Sequence, residues 1–247
     1  MPPIRTAKNN TGAAAQAPAT SLPKMWLKAL PEGMEEARFD SSERDWSGKY
    51  ENVIGTSTRN IVFGHSFVLT DDHIDDILAL GRSICKNITH FIFIYSDVSC
   101  RTQNNAQSLT SDAVVRLANA CPNLKKVKLQ ATSRVTDDGL RALLEKCPNL
   151  VSVEVTGISG SGGNRISGTL LDEWRKKPEW APNLRNLTLS EREDNKVFMK
   201  AMRAFTKERS DLILTLLQRD EVNKWGEDWE LEEKQTHYKN GRLRSRW

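Results

Sequence analysis

Three kinds of residue in this chain are of types that can do chemistry: the thiols Cys85, Cys100, Cys121 and Cys147, the imidazoles His65, His73, His90 and His237, and the paired acids Asp71-Asp72 and Asp137-Asp138. A zinc site wants Cys-x-x-Cys or closely spaced histidines, and neither occurs, so no metal is expected. Cys85, Cys121 and Cys147 recur at one position of a repeat, which gives each a buried slot where a small, weakly polar side chain packs. Cys100 lies in an insertion, and no base stands near it in sequence to make a thiolate nucleophile. An enzyme built on it would lose a measured activity when that thiol is modified. The acid pairs suit general acid–base work, yet both open helical patterns, where carboxylates complement the dipole. The glycine-rich run from Gly157 to Gly163 lacks the Lys-Ser/Thr of a phosphate-binding loop and the spacing of a dinucleotide fingerprint. The expectation is a protein that is not an enzyme, with no catalytic residue, no cofactor and no small-molecule substrate.

Charge and hydropathy narrow the partner. Lys and Arg number 36 against 32 Asp and Glu, and a formal charge of +4 spread over this length supplies no polyanion footprint, so nucleic acid is not the expected ligand. No apolar run approaches the roughly 18 residues of a spanning helix, the richest being His90-Phe-Ile-Phe-Ile-Tyr95, so no membrane is expected. The N-terminal stretch has no apolar signal core, which implies reduced thiols and a cytoplasmic or nuclear setting. Arg5, Lys8, Lys24 and Lys28 precede the first acid, Glu32, a pattern resembling an organelle transit peptide, so a mitochondrial destination is the alternative.

The elements that position these residues are written as a repeat. Leu109-Thr-Ser-Asp through Cys121-Pro-Asn-Leu-Lys-Lys-Val-Lys-Leu129 aligns with Val135-Thr-Asp-Asp through Cys147-Pro-Asn-Leu-Val-Ser-Val-Glu-Val155 at a constant offset of 26 residues. The phrase also stands earlier, as Leu69-Thr-Asp-Asp and Cys85-Lys-Asn-Ile, and later, as Ile166-Ser-Gly-Thr and Ala181-Pro-Asn-Leu. Val127 and Leu129 alternate as a short strand requires, with Lys126, Lys128 and Gln130 on the other face. Thr136 reads as an N-cap, followed by a helical stripe of Leu140, Leu143 and Leu144 that Cys-Pro-Asn must stop. One strand and one helix cannot bury both apolar faces alone, so copies must stack. Five are expected, at about 58–84, 85–120, 121–146, 147–180 and 181–208, closed by a strand at 212–217.

These residues resemble the cysteine-containing class of leucine-rich repeats, in which Cys-x-x-Leu-x-x-Leu-x-Leu is followed by a Leu/Ile-Thr-Asp-x-Gly-Leu helix start; Cys121 to Leu140 matches almost letter for letter. The resemblance covers residues 58–217 and implies an α/β right-handed solenoid, a horseshoe segment with parallel strands on the concave face and helices on the convex face. The class is similar to the repeat domains of F-box substrate receptors, although Leu22 to Pro31 is too short for an F-box. What it implies is a protein-recognition module, an adaptor or substrate receptor in ubiquitin-dependent turnover. The alternative is a scaffold or assembly factor of a larger, organellar complex unrelated to ubiquitin.

The flanks divide simply. Residues 1–21 read as a disordered tail and 22–57 as an N-terminal cap or linker, with Trp46 and Tyr50 suited to covering the first repeat. Residues 218–247 alternate charges with Trp225 and Trp229, and read as a capping helix, with a partner-gripping Trp tail as the alternative. A protein partner is expected on the outward strand residues: Asn60, Val62 and Gly64; His90, Ile92 and Ile94; Lys126, Lys128 and Gln130; Ser152, Glu154 and Thr156; Asn186, Thr188 and Ser190. Ile92 and Ile94, apolar on that face, mark a desolvated centre or a strand covered by a neighbouring loop. Insertions at Tyr95–Ser108, with Arg101, and Thr156–Arg165 would flank the same site as a clamp.

Overall fold

The computed structural model describes residues 31–96, 104–158, 166–225 and 228–246. The N-terminal tail, the Leu22–Leu30 pattern, Cys100, Arg101 and most of the glycine-rich insertion lie outside the described residues.

Strand and helix alternate along the chain. The strands are β1 (Glu36–Ser41), β2 (Asn60–Ser66), β3 (His90–Phe93), β4 (Lys126–Leu129), β5 (Ser152–Val155), β6 (Asn186–Ser190), β7 (Ile213–Trp225), β8 (Asp228–Lys239) and β9 (Arg242–Arg246). Between them run α1 (Tyr50–Val53), α2 (Asp71–Ala79), α3 (Arg82–Cys85), α4 (Ser111–Ala120), α5 (Asp137–Lys146), α6 (Gly168–Arg175) and α7 (Lys196–Glu208). Among the described residues the nine strands form one sheet in chain order, parallel from β1 to β7 and antiparallel from β7 to β9. The fold is therefore α/β with a mostly parallel, open sheet.

Register explains why the sheet coheres. Phe39, Phe63, Phe93, Leu129, Val155, Leu189 and Leu216 are successive cross-strand partners, and so are Ala37, Ile61, Phe91, Val127, Val153, Leu187 and Leu214. Both rows are buried in one core with Leu117 of α4, Leu140 and Leu143 of α5, Trp174 of α6 and Phe205 of α7. Each fully buried Leu or Phe contributes about 1.5–3 kcal/mol, so no single strand–helix unit is viable without its neighbours. Cys121 and Cys147 cap α4 and α5, and the Cys147 thiol lies 3.5 Å from the Cys121 carbonyl, so the recurrent cysteines stack from one unit to the next.

The acid pairs tie units together as well as complementing dipoles. Asp71 accepts from the Thr110 backbone N–H (2.8 Å) and hydroxyl (2.7 Å), and Asp137 accepts from the Ser167 N–H (2.7 Å), so each first-turn acid holds the N-cap of the following unit's helix. Thr136 occupies the N-cap position, but its side chain makes no capping bond; instead its N–H donates to the Ser111 hydroxyl at 2.8 Å.

One expectation gains detail and one is corrected. The segment 22–57 contains a strand: Glu36–Ser41 adds β1 to the sheet, and buried Trp46 packs on Phe39 and Phe63 while donating to Asp76 at 2.8 Å. The capping helix expected after Arg219 is a β-ribbon, because β7 continues past the sheet and β8 and β9 fold back on it. Asn240 and Gly241, at φ of 53° and 74°, make the left-handed turn that a tight hairpin needs.

Candidate functional site

Alternate strand residues point away from the core. Their cross-strand partners run Arg38, Val62, Ile92, Lys128, Glu154, Thr188 and Thr215, with Asn60, His90, Lys126, Ser152 and Asn186 as the preceding row. His90, Ile92, Ile94, Lys128, Ser152 and Glu154 are half-buried there and Lys126 is exposed, so seven of the expected contact residues share one face. Burial, and then the nearby ammonium groups of Lys126 and Lys125, hold the His90 pKa below the ordinary imidazole value.

Gln130 and Thr156 were expected to offer side chains to a partner, and both are buried, as are Val62, Gly64 and Ser190. The reason is internal use of their polar atoms. The Gln130 carbonyl accepts from the Tyr95 N–H (2.8 Å) and its amide donates to Glu154 (2.7 Å), while the Thr156 hydroxyl accepts from Arg219 (3.1 Å). Ser190 accepts from the Gly157 N–H at 2.8 Å. Arg101 lies outside the described residues. The near end of its insertion folds inward, with buried Asn104 donating to the carbonyls of Gly64 (2.9 Å) and Phe67 (3.2 Å).

The ribbon makes a feature that the repeat pattern did not contain. β7 and β8 outrun the other strands, and the hydroxyl of Tyr95, just beyond β3, donates to Glu221 on β7. A cavity of about 730 Å³ lies between ribbon and sheet, with Ile94, Lys128, Glu154 and Thr188 on one side and Leu217, Arg219, Leu231, Glu233 and Gln235 on the other. Its floor carries a chain of alternating charge. Lys128 Nζ stands 3.7 Å from Glu154 Oε2, Arg219 Nη2 stands 3.6 Å from Glu154 Oε1, and the same nitrogen donates to Glu233 Oε1 at 2.6 Å. The inner pair is the more enclosed: side-chain exposure is 29% for Lys128, 17% for Glu154, 1% for Arg219 and 38% for Glu233.

Arg219, Glu221, Leu231, Glu233 and Gln235 were not among the expected contacts. Of these, only the β8 residues Leu231, Glu233 and Gln235 had a nearby signal, the Asn240-Gly241 dipeptide that turns β8 into β9, a strong short-range hairpin mark.

The three described thiols, Cys85, Cys121 and Cys147, are buried: burial pushes Cys147 up to about 12, and the sulfur contact between Cys85 and Cys121 raises Cys121, with burial adding to it, and lowers Cys85. Among the described residues no group of three or more His, Cys, Asp or Glu is placed to hold a metal ion, and no helix is long and apolar enough to cross a membrane. No family model matches the chain, and no curated protein matches it.

Proposed function

We propose that this chain is a non-catalytic protein-recognition module, a leucine-rich-repeat-like solenoid segment whose uncovered strand face grasps another protein. The observation that supports this reading is the direction of the core rows: α2 to α7 each contribute buried side chains to the same core as the inward rows of the parallel sheet. The opposite face offers half-buried Ile92 and Ile94 beside exposed Lys126. An apolar pair edged by charge is the composition of an interface centre, because its desolvation favours association while the rim sets orientation.

Affinity purification with mass spectrometry tests it, comparing the full chain with an Ile92→Asp/Lys126→Glu variant. The expected result is a stoichiometric partner lost from the variant at unchanged melting temperature; equal recovery by both would place recognition elsewhere. Ligase subunits in the recovered set would specify the adaptor or substrate-receptor role. A stable non-ligase assembly would specify the scaffold role.

A further inference from the structure

Four charges in series, positive, negative, positive, negative, run along the cavity floor from Lys128 through Glu154 and Arg219 to Glu233. The protein's own hydrogen bonds concentrate on the inner two. Glu154 accepts at Oε1 from Gln130 at 2.7 Å and from Thr156 at 3.4 Å while its Oε2 faces Lys128, and Arg219 donates to Glu233 through Nε (2.8 Å) and Nη2 (2.6 Å) and to Thr156 through Nη1 (3.1 Å). The outer two have fewer. Among the described residues the Lys128 ammonium touches only Glu154, at 3.7 Å and beyond hydrogen-bonding distance, while Glu233 spends one carboxylate oxygen on Arg219 and leaves the other open. Ile94, Leu217 and Leu231 lie among them.

Such a cavity selects its occupant by what it penalises. A neutral segment closing over it would take the Lys128 ammonium and the free Glu233 oxygen out of water without a hydrogen bond, which is unfavourable. A purely acidic segment would meet Glu233 and Glu154, and a purely basic one Lys128 and Arg219. The complement is a ligand with a carboxylate for the Lys128 end, an ammonium or guanidinium for the Glu233 end, and aliphatic carbon between. Lys126 and Ile92 continue the same face of β4 and β3 beyond the cavity, so the source is a chain long enough to span both.

We propose that the cavity under the ribbon is the specificity pocket of this face, and that it receives an extended segment of the protein partner bearing one acidic and one basic side chain. The inference rests on the recognition reading above and specifies its ligand. A displayed library of random octapeptides, selected on the full chain, tests it, with affinities then read by fluorescence polarisation on wild type, Lys128→Gln and Glu233→Gln. Lys128→Gln is expected to melt with the wild type; Glu233→Gln keeps an accepting oxygen for buried Arg219 but loses the charge, so it is expected to melt lower, and affinities are read at a temperature where all three are folded. Expected is enrichment of peptides carrying an acid and a base, with roughly tenfold loss on either variant. Neutralising the peptide's acid should cost nothing further on Lys128→Gln, and neutralising its base nothing further on Glu233→Gln. Enriched peptides without the pair, no enrichment, or penalties that persist on the variants would overturn it. Free aspartate or arginine binding as tightly as an octapeptide would also overturn it, assigning a small-molecule site. Any of these leaves the Ile92/Lys126 comparison standing, so the two readings fail separately.

Discussion

Replacing Arg219 with methionine keeps an unbranched stem in the ribbon wall of the cavity and removes only the guanidinium. Arg219 is 1% exposed and makes three hydrogen bonds, two to Glu233 and one to Thr156, with Glu154 a further ionic neighbour. Charge-assisted bonds contribute about 1.5–3 kcal/mol each, and breaking a buried pair costs about 3–5 kcal/mol when the partner is stranded. Glu233 is stranded only in part, because at 38% exposure it regains water, whereas the Thr156 hydroxyl and Glu154 stay enclosed. The net loss expected is about 2–4 kcal/mol. Urea unfolding at pH 7 measures it, and hydrogen exchange locates it, since protection along β7 and β8 should fall before that of β3 to β5. A loss below about 1 kcal/mol, with ribbon protection unchanged, would mean that the antiparallel ladder alone holds the ribbon and that the charge chain has no part in placing it over the cavity.

Leu129 is buried between Phe93 and Val155 in the apolar row, so Leu129→Ala should cost about 2–5 kcal/mol in urea unfolding. A cost near zero would mean the row is not packed. Gly241 sits at φ 74°, and an added Cβ would stand 3.1 Å from the Arg203 carbonyl oxygen; Gly241→Ala should therefore lower stability by about 1 kcal/mol, read as a shift in melting temperature. Burial holds the His73 pKa below 6.5 against the opposing pull of Asp76 and Asp72, and its Nδ1 accepts from the Thr70 N–H at 3.1 Å. The unfolded chain thus binds the proton more readily, so stability is complete above 6.5 and is lost as pH falls through that value toward the folded pKa. Melting temperatures measured from pH 7 downward should show this slope in wild type and less of it in His73→Gln; identical slopes would assign it to other groups.

The central architecture was legible because it is local and periodic. The alternation at Val127 and Leu129, the Leu140–Leu143–Leu144 stripe and the Cys-Pro-Asn stop each follow from near-neighbour physics, and repetition multiplied the signal. β1 carried less. Glu36-Ala-Arg-Phe-Asp-Ser alternates correctly, but its apolar positions are only Ala37 and Phe39, and its burial depends on Trp46 closing over it. At the C-terminal end the charge density of residues 218–239 masked a strand pattern. Lys, Glu and Arg favour helix in isolation, and here the partner strand overrides that preference.

The site was legible only as a face. Strand parity places His90, Ile92, Lys126, Lys128, Ser152 and Glu154 together, and any reading of period two finds them. Parity does not say which of those side chains is already spent. Gln130 and Thr156 are consumed by Tyr95, Glu154 and Arg219, and Arg219 stands 63 residues after Thr156 in the chain. That contact exists only because β7 runs on past Leu217 instead of ending there and β8 pairs back along it, while Asn240-Gly241 turns β8 into β9. A repeat therefore specifies the surface it builds, whereas the pocket on that surface comes from where the repeat stops. The specificity of this face should accordingly follow substitutions at Lys128, Arg219 and Glu233 rather than those in the repeated phrase, which set only whether the sheet forms.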